Sequence, residues 1–455
     1  MIAIAQARSA KARRALSRVA YRGLLCLTMI SDALPSNIRF GHWQKVLSLL
    51  QPRTPLPVVP RTTAPPLPIP PRGGTAQTKG EACRCMLIAG ALDGGGVEAV
   101  IAALALGLPA EGFDVEVVAT QAGRVSADLS RVGVKVTTSS VAGLADLISE
   151  RRPDVVELHR PDPEFLAAVL NSAPPVVPVF HAMESYLNAE AWTALERVVS
   201  QAPVCVAVSE GVREFFLQRI GPANISVVVN GVSKRDPRRI LENGVARELV
   251  ARALSDNIDD SDILVVALQR YSDQKNAAGL VDAFLKAAET EPRLRLVLAG
   301  SPDNWLEYRR ADFLRRGAVL GHRVHLLGDS DSEVILTAGD LYALDSFAEG
   351  GPLTAVEAVL HGLPVVLSDV GFAAELVAQD GLVGEVVARA NRDFSERELA
   401  AQRRRIHQSN REAFAKAMLR MADHGRSAAD KVPTSFTMDS MVAGHAALLR
   451  SAISR

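Results

Sequence analysis

Residues 346–366 read Ser-Phe-Ala-Glu-Gly-Gly-Pro-Leu-Thr-Ala-Val-Glu-Ala-Val-Leu-His-Gly-Leu-Pro-Val-Val. An apolar run, Leu341 to Leu344, precedes them, and a second, Pro364 to Leu367, closes them. Between the two lies a glycine turn and then a helical pattern starting near Leu353. Pro352 suits the first position of that helix, and Gly362 with Pro364 suits its end. The stretch therefore predicts strand, glycine turn, helix, strand.

The same alternation extends in both directions. Towards the N-terminus, Ile263 to Leu268, Leu294 to Ala299 and Val324 to Leu327 read as buried strands separated by helical segments. A polar break around Ser233 to Asp262 comes before them. Earlier still, Met86 to Ala89, Val115 to Ala119, Val155 to Leu158, Val176 to Phe180, Val204 to Val208 and Val227 to Val229 repeat the pattern. Strands alternating with helices predict parallel sheets covered on both faces, here two α/β, doubly wound domains in tandem. In such folds a ligand is expected at the carboxyl ends of the strands, in a cleft between the domains.

The chain has 455 residues and a formal charge of zero, which gives no overall signal for nucleic acid. The balance hides an asymmetry. Residues 1–80 hold twelve Lys/Arg against the single acid Asp32. Arg8, Lys11, Arg14, Arg18 and Arg22 recur at helical spacing, a basic stripe on one face. Three readings of residues 1–50 stand: contact with an anionic membrane surface, an uncommitted tail, or a start codon placed too far upstream. From Gln51 to Gly74 the proline density predicts an extended linker. Cys26, Cys83, Cys85 and Cys205 form neither a disulfide framework nor a zinc pattern, so a reduced, cytoplasmic protein without a metal is expected. The apolar run Gly23 to Ile30 is far shorter than the roughly 20 residues of a membrane span.

Three segments carry chemistry. Gly94-Gly95-Gly96 follows the first strand and opens a helix, so backbone amides there could approach a phosphate or sugar. Its spacing is not that of a dinucleotide fingerprint. Arg270 and Lys275 flank a loop just past a strand, which suits a diphosphate. In the opening stretch, the amides of Gly351, Leu353 and Thr354 add a helix N-terminus to the same side. Glu349 and Glu357, if joined by helix throughout, would stand about 12 Å apart along its axis. That exceeds the roughly 5–9.5 Å between glycosidase carboxylates. The pair is better suited to holding hydroxyls on two parts of one long ligand.

The stretch resembles the Glu-x7-Glu signature of the retaining, metal-independent glycosyltransferases of the GT-B fold, known as glycosyltransferase family 4 or "group 1". The resemblance runs from about Cys85 to Leu449. It includes the Gly-Gly loop at Gly94 to Gly96, a strand-end histidine at His181, Val208-Ser209-Glu210, Asn230-Gly231-Val232, and the Arg-x4-Lys pair at Arg270 and Lys275. Where the family usually has Gly before the Arg and after the Lys, this chain has Gln269 and Asn276. The resemblance implies a GT-B protein: two Rossmann-like doubly wound domains facing across a cleft, with a basic N-terminal extension and Pro-rich linker. Its segments would be 1–80 (extension and linker), 81–240 (acceptor domain), 241–432 (nucleotide-sugar donor domain) and 433–455 (a helix returning to the first domain).

By the same resemblance, Arg270 and Lys275 would neutralise a donor diphosphate. Glu357 would bind the ribose, and Glu349 the transferred sugar. The backbone around Gly350, Gly351, Leu353 and Thr354, with Gly95 and Gly96, would complete the donor site. His181 would lie near the reacting centre; the plainer reading is a hydrogen-bonded strand-end histidine, and His159 carries the same two readings. A nucleotide-diphosphate sugar would be the co-substrate, with no cofactor. The acceptor stays open among glycans, lipid-linked molecules and small molecules, and its choice rests on loops such as Arg160 to Glu164 and Met183 to Asn188. The basic stripe adds the alternative of a peripheral protein at the inner membrane face. An epimerase of the same shape fits less well, because the paired glutamates and Asn-Gly-Val belong to the transferases. An idle scaffold would be expected to have lost one of Arg270, Lys275, Glu349 or Glu357.

Overall fold

A computed structural model describes residues 2–39, 42–61, 82–159, 162–169, 172–184, 187–236, 240–427 and 432–454. The core of the Pro-rich linker and Arg160 lie outside these residues, and the side chain of Arg8 is likewise not described. The chain divides into two units. One comprises the residues up to 233 that follow the linker, together with 433 onwards. The other comprises 234–432 together with the described residues up to 61, which include the start of the Pro-rich segment.

The first domain is a seven-stranded parallel sheet of β1 (Cys83–Ala91), β2 (Phe113–Gln121), β3 (Lys135–Thr138), β4 (Val155–Leu158), β5 (Val176–Phe180), β6 (Cys205–Ala207) and β7 (Ile225–Val227). Its order is β3-β2-β1-β4-β5-β6-β7. The second domain has six parallel strands: β8 (Ile263–Leu268), β9 (Leu294–Ala299), β10 (Val324–Leu327), β11 (Leu341–Leu344), β12 (Val365–Ser368) and β13 (Gly384–Val387). Their order is β10-β9-β8-β11-β12-β13. In each sheet the order reverses beside the first strand, the switch point at which strand ends diverge and leave room for a ligand.

Two strands were not expected from the sequence, β3 and β13. Both have only one neighbour, and neither is fully buried. Their sequences therefore lack the continuous apolar run that marks a strand covered on both faces. The polar break also contains a helix, Asn243–Leu254. The second-domain core joins Val265, Leu296, Leu298, Leu341 and Val366 of the sheet to Leu280, Phe284, Phe414 and Met418 of the covering helices.

The final helix, Met438–Ile453, packs within the first domain. Asn230-Gly231-Val232 is where it docks. Val232 donates to the Phe436 carbonyl at 2.9 Å, and Met438 donates back to Val232 at 3.0 Å. A Cβ on Gly231 would stand 2.1 Å from the Thr437 carbonyl oxygen, so only glycine admits this approach.

The extension departs from the expectation of a tail and linker. Helix Ile2–Ala33 lies against helix Trp305–Gly317 of the second domain, burying Tyr21, Leu24, Leu25, Thr28 and Ser31 on one face. Of the basic stripe, Arg14 is half-buried and Arg18 donates to the Gly317 carbonyl at 3.0 Å, while Lys11 and Arg22 face solvent. Leu24 and Leu47 close a small apolar cluster over Leu306. The start of the proline segment is also fixed. Gly328 donates to the Pro57 carbonyl at 2.9 Å and Asp331 to that of Val59 at 3.1 Å. Proline supplied extended backbone here, and the free carbonyls found donors beside the edge strand β10. Among the described residues, no helix is long and apolar enough to cross a membrane.

Candidate functional site

The second domain collects most of the residues singled out from sequence. β8 ends at Leu268, and the loop that follows carries Arg270 and Lys275. Beside it, β11 ends at Leu344 and leads into Ser346 to Thr354. The two loops are tied by a hydrogen bond from the Phe347 amide to the Gln274 carbonyl at 2.8 Å. Lys275 Nζ lies 2.6 and 2.7 Å from the two carboxylate oxygens of Glu349. Ser346 Oγ donates to Glu349 Oε1 at 2.7 Å. Both charges of this pair are largely buried, which strengthens their attraction over that of a surface pair. Arg270 is exposed and pairs with Asp303 at 2.6 Å.

The glycine turn is shaped by packing. A Cβ on Gly351 would stand 2.3 Å from the ring of Phe372. With no side chain there, the backbone folds tightly and helix Leu353–Leu360 begins at once behind Pro352. Among the described residues, the amides of Gly351, Leu353 and Thr354 donate to no backbone acceptor. They are the orphan donors of a helix N-terminus, suited to an anion. The Thr354 hydroxyl pairs with Tyr342 at 2.6 Å.

Glu357 sits one turn into that helix, half-buried, with no hydrogen bond to its carboxylate among the described residues. Burial pushes its pKa up to about 7; His361 opposes this and Glu333 adds to it. A carboxylate costly to ionise and left without a donor is poised to accept hydroxyls from a ligand.

Asn276 explains one departure from the family pattern. Its φ is +51°, the left-handed region that glycine or asparagine tolerates. Its side chain then does what glycine cannot. It donates to Gln408 at 2.7 Å and to Asp345 at 3.1 Å, and accepts from Gln408 at 2.8 Å. Gln269, at the other departure, is buried with both side-chain polar atoms unpartnered.

The histidines belong to the first domain. His159 Nδ1 and His181 Nε2 are 2.8 Å apart, with the rings stacked at 5.1 Å. Behind them Glu157, fully buried in β4, meets His445 of the final helix at 2.5 Å and His159 at 3.8 Å. Burial opposes ionisation of Glu157, yet His445 and His159 hold its carboxyl well below the usual range. Burial drives the His181 pKa well below that of a free histidine, so its ring is neutral at pH 7. Gly95 caps helix Gly96–Gly107, and the Glu98 carboxylate folds back to 2.6 Å from where a Gly95 Cβ would stand.

Sequence reasoning did not single out Glu157, His445, Ser346 or Asp273. A glutamate inside an otherwise apolar strand, Val155–Leu158, was the available signal for the first. Ser346 and Asp273 carried none beyond lying in the loops that hold Glu349 and Lys275.

Two family profiles match this chain. "Glycosyltransferase Family 4" covers residues 94–235, and "Glycosyl transferases group 1" covers residues 254–418. The chain belongs to the family 4, group 1 glycosyltransferases. It is 28% identical over 264 residues to the MMP alpha-(1->4)-mannosyltransferase of Mycolicibacterium hassiacum, covering 57% of each chain. It is 29% identical over 199 residues to a D-inositol 3-phosphate glycosyltransferase of Mycobacterium leprae, covering 42% of this chain and 44% of the other. The chain thus spans about half the length of the curated relatives it matches. Among solved structures, Anabaena HepE in complex with UDP and glucose aligns over 81% of this chain and all of its own, with a TM-score of 0.59 and 20% identity. That likeness shows a shared GT-B fold.

Proposed function

We propose that this glycosyltransferase-family chain moves a sugar from a nucleoside-diphosphate donor to an acceptor hydroxyl, with retention of configuration. The buried Lys275–Glu349 pair, beside the unsatisfied amides of Gly351, Leu353 and Thr354, carries this reading. A donor diphosphate would take over Lys275 and meet Arg270 and those amides. Glu349, released from the lysine, would turn to the sugar hydroxyls, and Glu357 would accept from the ribose. The neutral ring of His181 would contact the sugar or acceptor.

In this scheme the bond from the anomeric carbon to the phosphate oxygen breaks as charge builds on the diphosphate. The acceptor oxygen attacks from the same face, and its proton passes to the departing phosphate oxygen. Cationic groups and oriented amides lower the barrier by stabilising the leaving charge, and binding of both substrates supplies positioning. The UDP and glucose held by HepE support a nucleotide-sugar donor for the shared fold.

The test is calorimetric titration with UDP-, GDP-, ADP- and TDP-sugars of the wild type, Glu357→Ala and Lys275→Ala. One donor is expected to bind the wild type and to be lost in both variants. A folded wild type that binds none of the four would overturn the reading.

A further inference from the structure

Asp32, the single acid in the first 80 residues, has a fully buried side chain. Arg403 meets it at 2.5 Å, Arg39 at 2.9 Å and Arg404 at 3.2 Å. Arg39 also bonds to Asp273. Asp273 lies inside the loop bounded by Arg270 and Lys275. Its other oxygen accepts from Asn304 at 2.7 Å and pairs with Arg403 at 3.2 Å. Arg403 in turn meets the buried Glu307 at 2.6 Å. A chain of alternating charges thus runs from the N-terminal extension into the loop proposed to take the diphosphate.

Such a network is a poor device for stability alone, because desolvation offsets most of its attraction. Its geometry points elsewhere. Both oxygens of Asp273 are held, so the short turn Asp273–Lys275 is pinned where Lys275 faces Glu349. Charge matters as well. Asp273 is two residues from Lys275, and an uncompensated carboxylate there would repel an incoming diphosphate. Arg39 and Arg403, paired with its two oxygens, cancel that charge. A second coupling runs through helix Trp305–Gly317, which packs on the extension and is capped by the Asn304 that binds Asp273.

We infer that the N-terminal extension is an intramolecular clamp on the diphosphate loop, with Arg39 as a positioning residue that fixes and neutralises Asp273. The inference rests on the donor reading above. It makes Asp32, at the end of the first helix, and Arg39 just beyond it part of the donor-binding machinery of the second domain.

The experiment measures dissociation constants of the full-length protein for UDP, GDP, ADP and TDP and for the matching monophosphates, in wild type and Arg39→Gln. Arg39→Gln is expected to weaken diphosphate binding about tenfold, as loss of a charge-assisted bond would, and to leave the monophosphate within about twofold. Arg61→Ala, which removes an exposed ion pair between the same extension and Asp329, should match wild type. An unchanged diphosphate-to-monophosphate ratio in Arg39→Gln overturns the clamp. If Arg39→Gln fails to fold, Arg39→Lys carries the test: its shorter cation reaches one carboxylate and should give a smaller loss with the same selectivity, and a wild-type ratio would again overturn it. A wild type that binds no diphosphate instead overturns the donor reading itself.

Discussion

Lys275 and Glu349 neutralise each other across the two loops of the second domain, each carboxylate oxygen within 2.7 Å of the ammonium. A donor anion at Lys275 must compete with that carboxylate, so the pair sets a threshold that ligand charge has to exceed.

Glu349→Gln should therefore separate binding from chemistry. Nucleoside diphosphate affinity is expected to hold or to rise, since Lys275 loses its competitor. Turnover is expected to fall about 10²–10³-fold if Glu349 holds the sugar in the transition state. Calorimetry and a donor-consumption assay check the two halves; equal losses in both would contradict the competition.

Glu357 gives the site a pH dependence. Its folded-state pKa of about 7 lies above the ordinary 4.5, so between those values the folded protein binds an extra proton. Stability falls as pH rises through that window. Ligand affinity should move the other way, because only the carboxylate accepts two hydroxyl bonds. Nucleotide affinity is expected to weaken as pH drops from 8 to 6 and to flatten in Glu357→Gln. A wild-type profile equally flat would remove the assignment.

The Glu157–His445 pair is predicted to fasten the final helix to β4. His445→Ala leaves a buried carboxylate without its closest hydrogen-bond partner and should cost about 3–5 kcal/mol in urea unfolding. Replacing both with leucine should recover most of that loss. Because the Glu157 pKa is depressed, the stability it contributes is present above its unfolded value and declines as pH falls below about 4.5. A His445→Ala protein as stable as wild type would show that the pair holds nothing.

The central strands were legible because burial on both faces writes continuous apolar runs, as in Ile263–Leu268 and Leu341–Leu344. The edge strands Lys135–Thr138 and Gly384–Val387 were not, since one-sided pairing relaxes that demand. The site was legible where backbone constraint limits residue choice, as at Gly351 under Phe372 or Asn276 at positive φ. Pairings across long separations leave no periodicity. Arg39 and Asp273 are 234 positions apart, and Arg403 and Asp32 are 371 apart. A lone acid in a basic segment was visible, but nothing local named its partners.

The docking of the first helix also bears on how the molecule comes into being. Arg18 meets Gly317 across 299 residues. At about 5–20 residues per second, a ribosome takes on the order of 15–60 s to make that interval. Throughout it, Tyr21, Leu24 and Leu25 have been synthesised and have no surface to cover them. The first domain's sheet is complete in the chain before that surface exists. The second domain is thus assembled from segments made before and after the first domain's sheet, and Asp273, in the loop that holds Lys275, gains its Arg39 contact only when those segments meet.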